Sequence, residues 1–205
     1  PIFDVVNPIA EAAQYVAHDR RIMMILLLIG CHCGFTMAYD ALLPGLSTEL
    51  GGGSSTFAAI TVAVGIGALL GTLGLSTISN EYFRGPILII SGLGSGIALL
   101  IMGFANDPIV AVLAGFIAGV TQAPLMALSA TLIQQIVPDN FRGRIMAFYL
   151  MIAAGFMALM NLGFGFIADS LGERSLIIFP SVVWLLLFIF GAFYYKPLQF
   201  LLRRG

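Results

Sequence analysis

"PLMALSATLIQQIVPDNFRGRIMAFYLM", residues 124–151, consists of two apolar runs joined by a short polar break. Pro138, Asp139, Asn140, Arg142 and Arg144 fall within a few residues, and apolar sequence resumes at Ile145. So brief an interruption reads as a hairpin at a water boundary, with a membrane-crossing helix on each side. The rest of the chain agrees. Of its 205 residues, 60% are hydrophobic and 9% are charged, whereas a soluble domain carries about 25% charged residues. That few charges cannot cover a surface facing water, so the expected solvent is lipid. A net charge of −1 offers no basic face, and no nucleic-acid partner is expected. Cys31 and Cys33 lie inside an apolar run and do not read as a disulfide framework.

A helix needs about 20 apolar residues to cross a bilayer. Residues 22–46, 56–79, 86–105, 108–136, 144–168 and 175–195 meet that length. None alternates polar and apolar at period two, as barrel strands would. The expected fold class is all-α: a polytopic six-helix transmembrane bundle. Its connections read as 47–55, 80–85, 106–107, 138–143 and 169–174. Residues 1–20 read as a cytoplasmic linker or surface helix, 21–196 as the bundle and 197–205 as a cytoplasmic tail. Within 7–21, Asn7 is a candidate N-cap and Pro8 a candidate first helical residue. Ile9, Ala12, Ala13 and Val16 share one face and Glu11, Gln14 and His18 another, which predicts an amphipathic helix on the membrane surface. "LIGC" at 28–31 is similar to a lipoprotein signal, but five further spans follow Cys31, so that reading is set aside.

Basic residues concentrate on the cytoplasmic side of membrane proteins. Counting sides alternately, Arg20, Arg21, Arg84, Arg142, Arg144, Lys196, Arg203 and Arg204 share one side and Arg174 stands alone on the other. Both termini and the 138–143 hairpin are therefore expected in the cytoplasm. Tyr194 and Tyr195 beside Lys196 fit an interfacial anchor there. "FRG" occurs at 83–85 and again at 141–143, as an anchor or as part of a gate.

Glycine pairs four apart (Gly67/Gly71, Gly92/Gly96, Gly115/Gly119) predict close helix contacts. Pro124 cannot donate to the Val120 carbonyl, so a kink or a freed acceptor is expected. Gly115, Gly119, Gln122, Met126 and Ser129 share a face, which reads as a helix contact or a cavity wall; the cost of Gln122 in lipid favours the wall. Ionisable groups inside a membrane are candidates for function. Counting about 1.5 Å per residue from Arg21, His32 lies about 16 Å in, near the midplane, and Asp40 about 28 Å in, near the outer boundary. Thr36 and Tyr39 follow His32 at helical spacing. Pathway candidates are thus His32, Thr36, Tyr39, Asp40, Gln122, Ser129 and Asn161. The "CHC" at 31–33 spreads its side chains around the helix, so no metal site is expected. No phosphate-binding loop or nucleophile set is present in the sequence, so neither an enzyme nor a cofactor is expected.

"EAAQYVAHDRRIMMILLL", "ALLPGLSTELGGG", "AVGIGALLGTLGLSTIS", segment 124–151 and "GFGFIADSLGER" resemble, in that order, the linker entering helix seven, the end of helix seven, helix eight, the region between helices ten and eleven, and the end of helix eleven of the major facilitator superfamily. The branch they resemble is that of enterobactin and macrolide exporters. The resemblance implies the second half of a twelve-helix transporter: a secondary transporter exporting amphipathic small molecules by proton exchange, with substrate at the midplane. It implies loop-motif roles for Asn80, Arg84, Asp139, Arg142 and Arg144. "SNEYFRGP" departs from the family, with Asn80 in place of an acid and Arg84 as the single basic residue. A missing first half and that degenerate loop leave an alternative, a transport-inactive structural subunit of a larger membrane assembly. The expected partners are the lipid bilayer and a first six-helix half or other membrane subunits, and the expected location is the inner (plasma) membrane. Cysteines introduced at 48–54 should label from outside the cell and one at 140 should not; the reverse pattern would invert the topology.

Overall fold

The computed structural model describes residues 3–78 and 80–194. The anchor read at Tyr194, Tyr195 and Lys196 and the tail at 197–205 lie outside the described residues and side chains. A short helix, α1 (Phe3–His18), precedes six helices long and apolar enough to span a membrane. These are α2 (Arg20–Glu49), α3 (Gly53–Ser76), α4 (Arg84–Phe104), α5 (Pro108–Ile136), α6 (Asp139–Leu171) and α7 (Glu173–Tyr194). The chain is an all-α six-helix membrane bundle.

Several boundaries differ from the sequence reading. α1 already runs at Phe3, so Asn7 is not its cap and Pro8 lies inside it. The ladder bond that Pro8 cannot make falls on one carbonyl near the helix start, where the loss is smallest. Asp19 caps α2 instead, accepting from the Arg21 amide at 2.9 Å and from its guanidinium at 3.1 and 2.8 Å. The Arg21 hydrogen bonds hold the Asp19 carboxyl below its ordinary range. The connections are also shorter than read. Helix extends to Glu49 and resumes at Gly53, leaving a turn in which Gly51 has φ 79°, a left-handed conformation that glycine adopts without a side-chain clash. Asp139 and Asn140 already belong to α6, and only Gly172 separates α6 from α7. Polar residues at these ends carry the helices beyond the hydrocarbon. The expected turn at 106–107 is present, with Asp107 capping α5 through the Ile109 amide at 2.7 Å.

α5 packs against both α3 and α4, α4 against α7, and α2 against α6. The α3–α5 contact is backbone to backbone. A methyl group added at Gly67 would strike the Phe116 carbonyl, and one at Gly119 the Val64 carbonyl. At Gly71 it would stand 2.5 Å from the carbonyl oxygen of Val120. That is the carbonyl left without a ladder donor by Pro124, within a helix that runs on unbroken. Gly92 and Gly96 serve a different contact, admitting Phe188, Leu185 and Trp184 of α7.

The buried apolar side chains form two clusters. One, toward the arginine-rich end, includes Ile22, Ile29, Leu125, Ile145 and Phe188; the other, toward the opposite end, includes Leu46, Ile60, Leu99, Met102 and Ile177. The outward faces of α3 and α6 are the least covered, with Val62 and Leu69 each 59% exposed and Phe166 79% exposed. The glycine interlock should be sensitive to bulk. Gly71→Leu or Gly119→Leu should lower stability in detergent by about 1–3 kcal/mol, as overpacking does. Gly74→Leu, which has open space at its Cα, should leave the melting temperature unchanged.

Candidate functional site

α2 is not one continuous α-helix. It is α-helical over Arg20–His32, widens to a π-helix over Cys33–Met37, tightens to a 3-10 helix over Ala38–Leu42, and resumes as α-helix over Leu43–Glu49. Proline accounts for the tight part. Pro44 has no amide to donate to the Asp40 carbonyl, and its ring crowds that oxygen. The Asp40 carbonyl accepts from Leu43 instead, one residue earlier. At the π segment Gly34 lets Phe156 and Met160 of α6 approach, where a Cβ would clash with Phe156.

The irregular segment gathers polar groups between the two apolar clusters. The Thr36 hydroxyl lies 2.8 Å from His32 Nδ1 and donates to the His32 carbonyl, also at 2.8 Å. From α5, Gln122 Nε2 donates to the Thr36 carbonyl at 2.6 Å. His32 and Thr36 are fully buried and Gln122 nearly so. The His32 ring meets the Trp184 ring at 5.0 Å between centroids, and Trp184 Nε1 donates to the Gly92 carbonyl at 2.8 Å. Four helices thus meet at one depth. His32 Nε2 is buried and has no hydrogen-bond partner among the described residues.

The structure brings His32, Thr36 and Gln122 together and leaves the other pathway candidates apart. Ser129 is buried but donates to Leu125 of its own helix at 2.7 Å. Gln122 and Ser129 turn into the bundle, and Gly115 and Gly119 pack on α3, so this face is a helix contact and not the cavity wall favoured from sequence. The Tyr39 hydroxyl and Asn161 Oδ1 are buried without partners among the described residues. Asp40 is exposed, in a groove against α3 that also contains Phe57, Thr61, Val64 and Gly65. Thr61 lies eight residues past Gly53, about 12 Å along the helix.

The loop candidates occupy the arginine-rich end. Asn80 accepts from the Tyr82 amide at 3.0 Å and shapes the turn before Arg84. Asp139 pairs with Arg142 at 2.6 Å. Arg144 pairs with Glu11 of α1 at 3.1 Å and lies 5.8 Å from the Phe141 ring centroid, while Phe141 stacks on Tyr15 at 5.0 Å. α1 is thereby docked on the hairpin between α5 and α6.

This arrangement is a membrane-embedded helix bundle with a broken first span and a polar layer at its centre. A family model for the Major Facilitator Superfamily matches residues 25–203. The chain belongs to the major facilitator superfamily. Membership associates it with transport across a membrane and makes it a multi-pass membrane protein. Searches of the curated proteins and of the solved structures find no match.

Two superfamily-chain residues at structural crossings escaped the sequence reading. Trp184 was legible as a lone tryptophan in an apolar span, since a buried indole seeks an acceptor. Arg174 was noted only for its side. It pairs with Glu49 at 2.8 Å and donates to the carbonyls of Gly103 and Ala105, tying α2, α4 and α7 together at the far end. The Gln122 crossing is the testable one. Gln122→Leu should cost about 1–2 kcal/mol, the worth of a buried hydrogen bond plus an acceptor left unpaired. Ser129→Ala, whose hydroxyl bonds only its own helix, should cost less than about 0.5 kcal/mol. Thermal unfolding in detergent would compare them, and equal losses would deny Gln122 its crossing role.

Proposed function

We propose that the chain is the second six-helix half of a secondary active transporter that exports amphipathic small molecules in exchange for protons. The observation that supports this most is the break in α2. It holds His32 and Thr36 at the level of Gln122, in a largely apolar span. Irregular backbone inside a bilayer is tolerated where it is buried in protein or lines a cavity, and transporters place their sites at such breaks. His32 would carry the proton, with Thr36 and Gln122 orienting it. Tyr39, Asp40, Ser129 and Asn161 would extend the pathway along the bundle.

The uncovered faces of α3 and α6 support a partner, a first six-helix half or other membrane subunits, with lipid on the remaining perimeter. The arginine bias supports an inner-membrane protein with both termini in the cytoplasm. On that topology Asn80, Arg84, Asp139, Arg142 and Arg144 form the cytoplasmic loop motif, and the Arg144–Glu11 pair ties it to α1. The enterobactin- and macrolide-exporter likeness of the sequence supports the direction of transport and the substrate class. No chemical conversion is part of this reading.

Everted membrane vesicles from cells expressing the protein should accumulate a fluorescent amphiphile when energised. A protonophore should abolish the accumulation. His32→Ala and His32→Gln should both flatten its pH profile, the second variant keeping the volume and a polar atom near Thr36. No proton-driven accumulation would overturn the export reading. An unchanged profile in both variants would leave His32 as a packing residue.

A further inference from the structure

Over Arg20–His32, before its break, α2 keeps regular α-helical spacing. Arg20, Met24, Leu27, Leu28 and Cys31 therefore fall on one stripe, at steps of three and four. α7 runs antiparallel to α2 and packs on its irregular middle more closely than on this first segment. The two helices leave a groove of about 230 Å³ between them, lined by the stripe from Met24 to Cys31 and by α7 from Trp184 to Gly191. Trp184 and Phe188, both buried, are its floor, and the exposed Leu27, Leu187 and Phe190 are its rim.

The lining restricts what can lie there. The indole N–H of Trp184 is already given to the Gly92 carbonyl. What remains is hydrocarbon, aromatic rings and the weakly bonding sulfurs of Met24 and Cys31, which suit an apolar chain and not a polar molecule. Position restricts the shape of the occupant. Met24 lies four residues past Arg20 and Cys31 eleven, about 6 and 16 Å along the helix. In a hydrocarbon core about 30 Å thick, the groove belongs to one leaflet and ends near the middle. A partner's transmembrane helix would meet it over half its length only, whereas a lipid tail entering from the arginine-rich side follows it from end to end. The groove is also apart from α3 and α6, whose outward faces are the least covered.

Arg20 heads the same stripe, one turn before Met24. It is exposed, and no hydrogen bond or ion pair engages it among the described residues. Its neighbour Arg21 is held by Asp19 at 2.8 Å. An unspent guanidinium at the water boundary can take a phosphate through paired N–H groups. A cation above an apolar trough of one leaflet's depth complements a lipid with a negative headgroup.

We propose that the groove between α2 and α7 is a site for an anionic phospholipid. One acyl chain lies along Met24, Leu28 and Cys31 over Trp184, and the headgroup phosphate rests on Arg20. The site does not depend on the transport reading above.

The test uses the whole protein purified in a neutral detergent. The probes are phosphatidylglycerol and phosphatidylcholine, each brominated halfway along its acyl chains. Bromine quenches an indole at contact range, and Trp184 is the one tryptophan of the chain; a Trp184→Phe protein supplies the background. Phosphatidylglycerol should quench Trp184 saturably, at about one fifth of the concentration that phosphatidylcholine needs, the factor that one arginine contributes toward an anionic lipid. Arg20→Gln should raise the phosphatidylglycerol requirement about fivefold and leave that of phosphatidylcholine unchanged. Arg20→Lys should restore most of the preference. Cys31→Leu narrows the groove and should weaken quenching by both lipids, with thermal unfolding confirming that it folds. Quenching by neither lipid, equal potency of the two on the unaltered protein, a preference that survives Arg20→Gln, or an unaffected Cys31→Leu would each overturn the proposal. A protein partner seated in the groove would give the first of these results.

Discussion

An unpaired backbone carbonyl inside hydrocarbon costs several kcal/mol in order of magnitude, and α2 breaks its own ladder in mid-span. The Gln122 side chain reaches the Thr36 carbonyl across the helix boundary at 2.6 Å, and the Thr36 hydroxyl turns back on the His32 carbonyl and ring. These bonds allow the span to change from α to π to 3-10 without leaving that region to lipid. They also fix the height of α2 against α5. Trp184 then fits between His32 and the Gly92 carbonyl, so α4 and α7 are tied to the same level.

The two apolar clusters divide at this layer, and the helices around it are held by different means. α3 and α5 touch through glycine backbones, and the Val120 carbonyl that Pro124 leaves over lies against Gly71. α4 and α7 meet through glycine notches that receive aromatic rings. At the far end Arg174 gathers the last carbonyls of α4 and the Glu49 carboxylate. At the other end Arg144, Phe141, Tyr15 and Glu11 dock α1 on the α5–α6 hairpin. The layer between these fastenings is polar, and His32 Nε2, the Tyr39 hydroxyl and Asn161 Oδ1 have no hydrogen-bond partner among the described residues.

Asp40 makes a useful contrast with His32. Both lie on α2, yet one is enclosed by four helices and the other faces a groove. The 3-10 turn that precedes Pro44 separates them in rotation around the helix axis as well as in height.

The sequence alone determined that the chain spans a membrane six times, because apolar length and scarce charge leave no other solvent. It also picked out three glycine pairs that make close contacts, Gly67/Gly71, Gly92/Gly96 and Gly115/Gly119, though not Gly34 or Gly103, and it marked His32, Thr36 and Gln122 as polar groups in an apolar span. It did not determine how those three meet. Helical spacing assumes 3.6 residues per turn, and α2 departs from that at Cys33 and again at Ala38, so the facing of residues beyond Cys33 could not be counted from the sequence. Pro44 was the readable sign of the 3-10 turn; the π turn had no comparable sign, and Gly34 within it meets Phe156 of α6. Only the tertiary structure decided that Gln122 and Ser129 turn inward, that Trp184 closes the layer, and that Arg174 is a fastening. Each of these depends on which helix stands opposite, and the apolar spans are too uniform in composition for their pattern to say which that is.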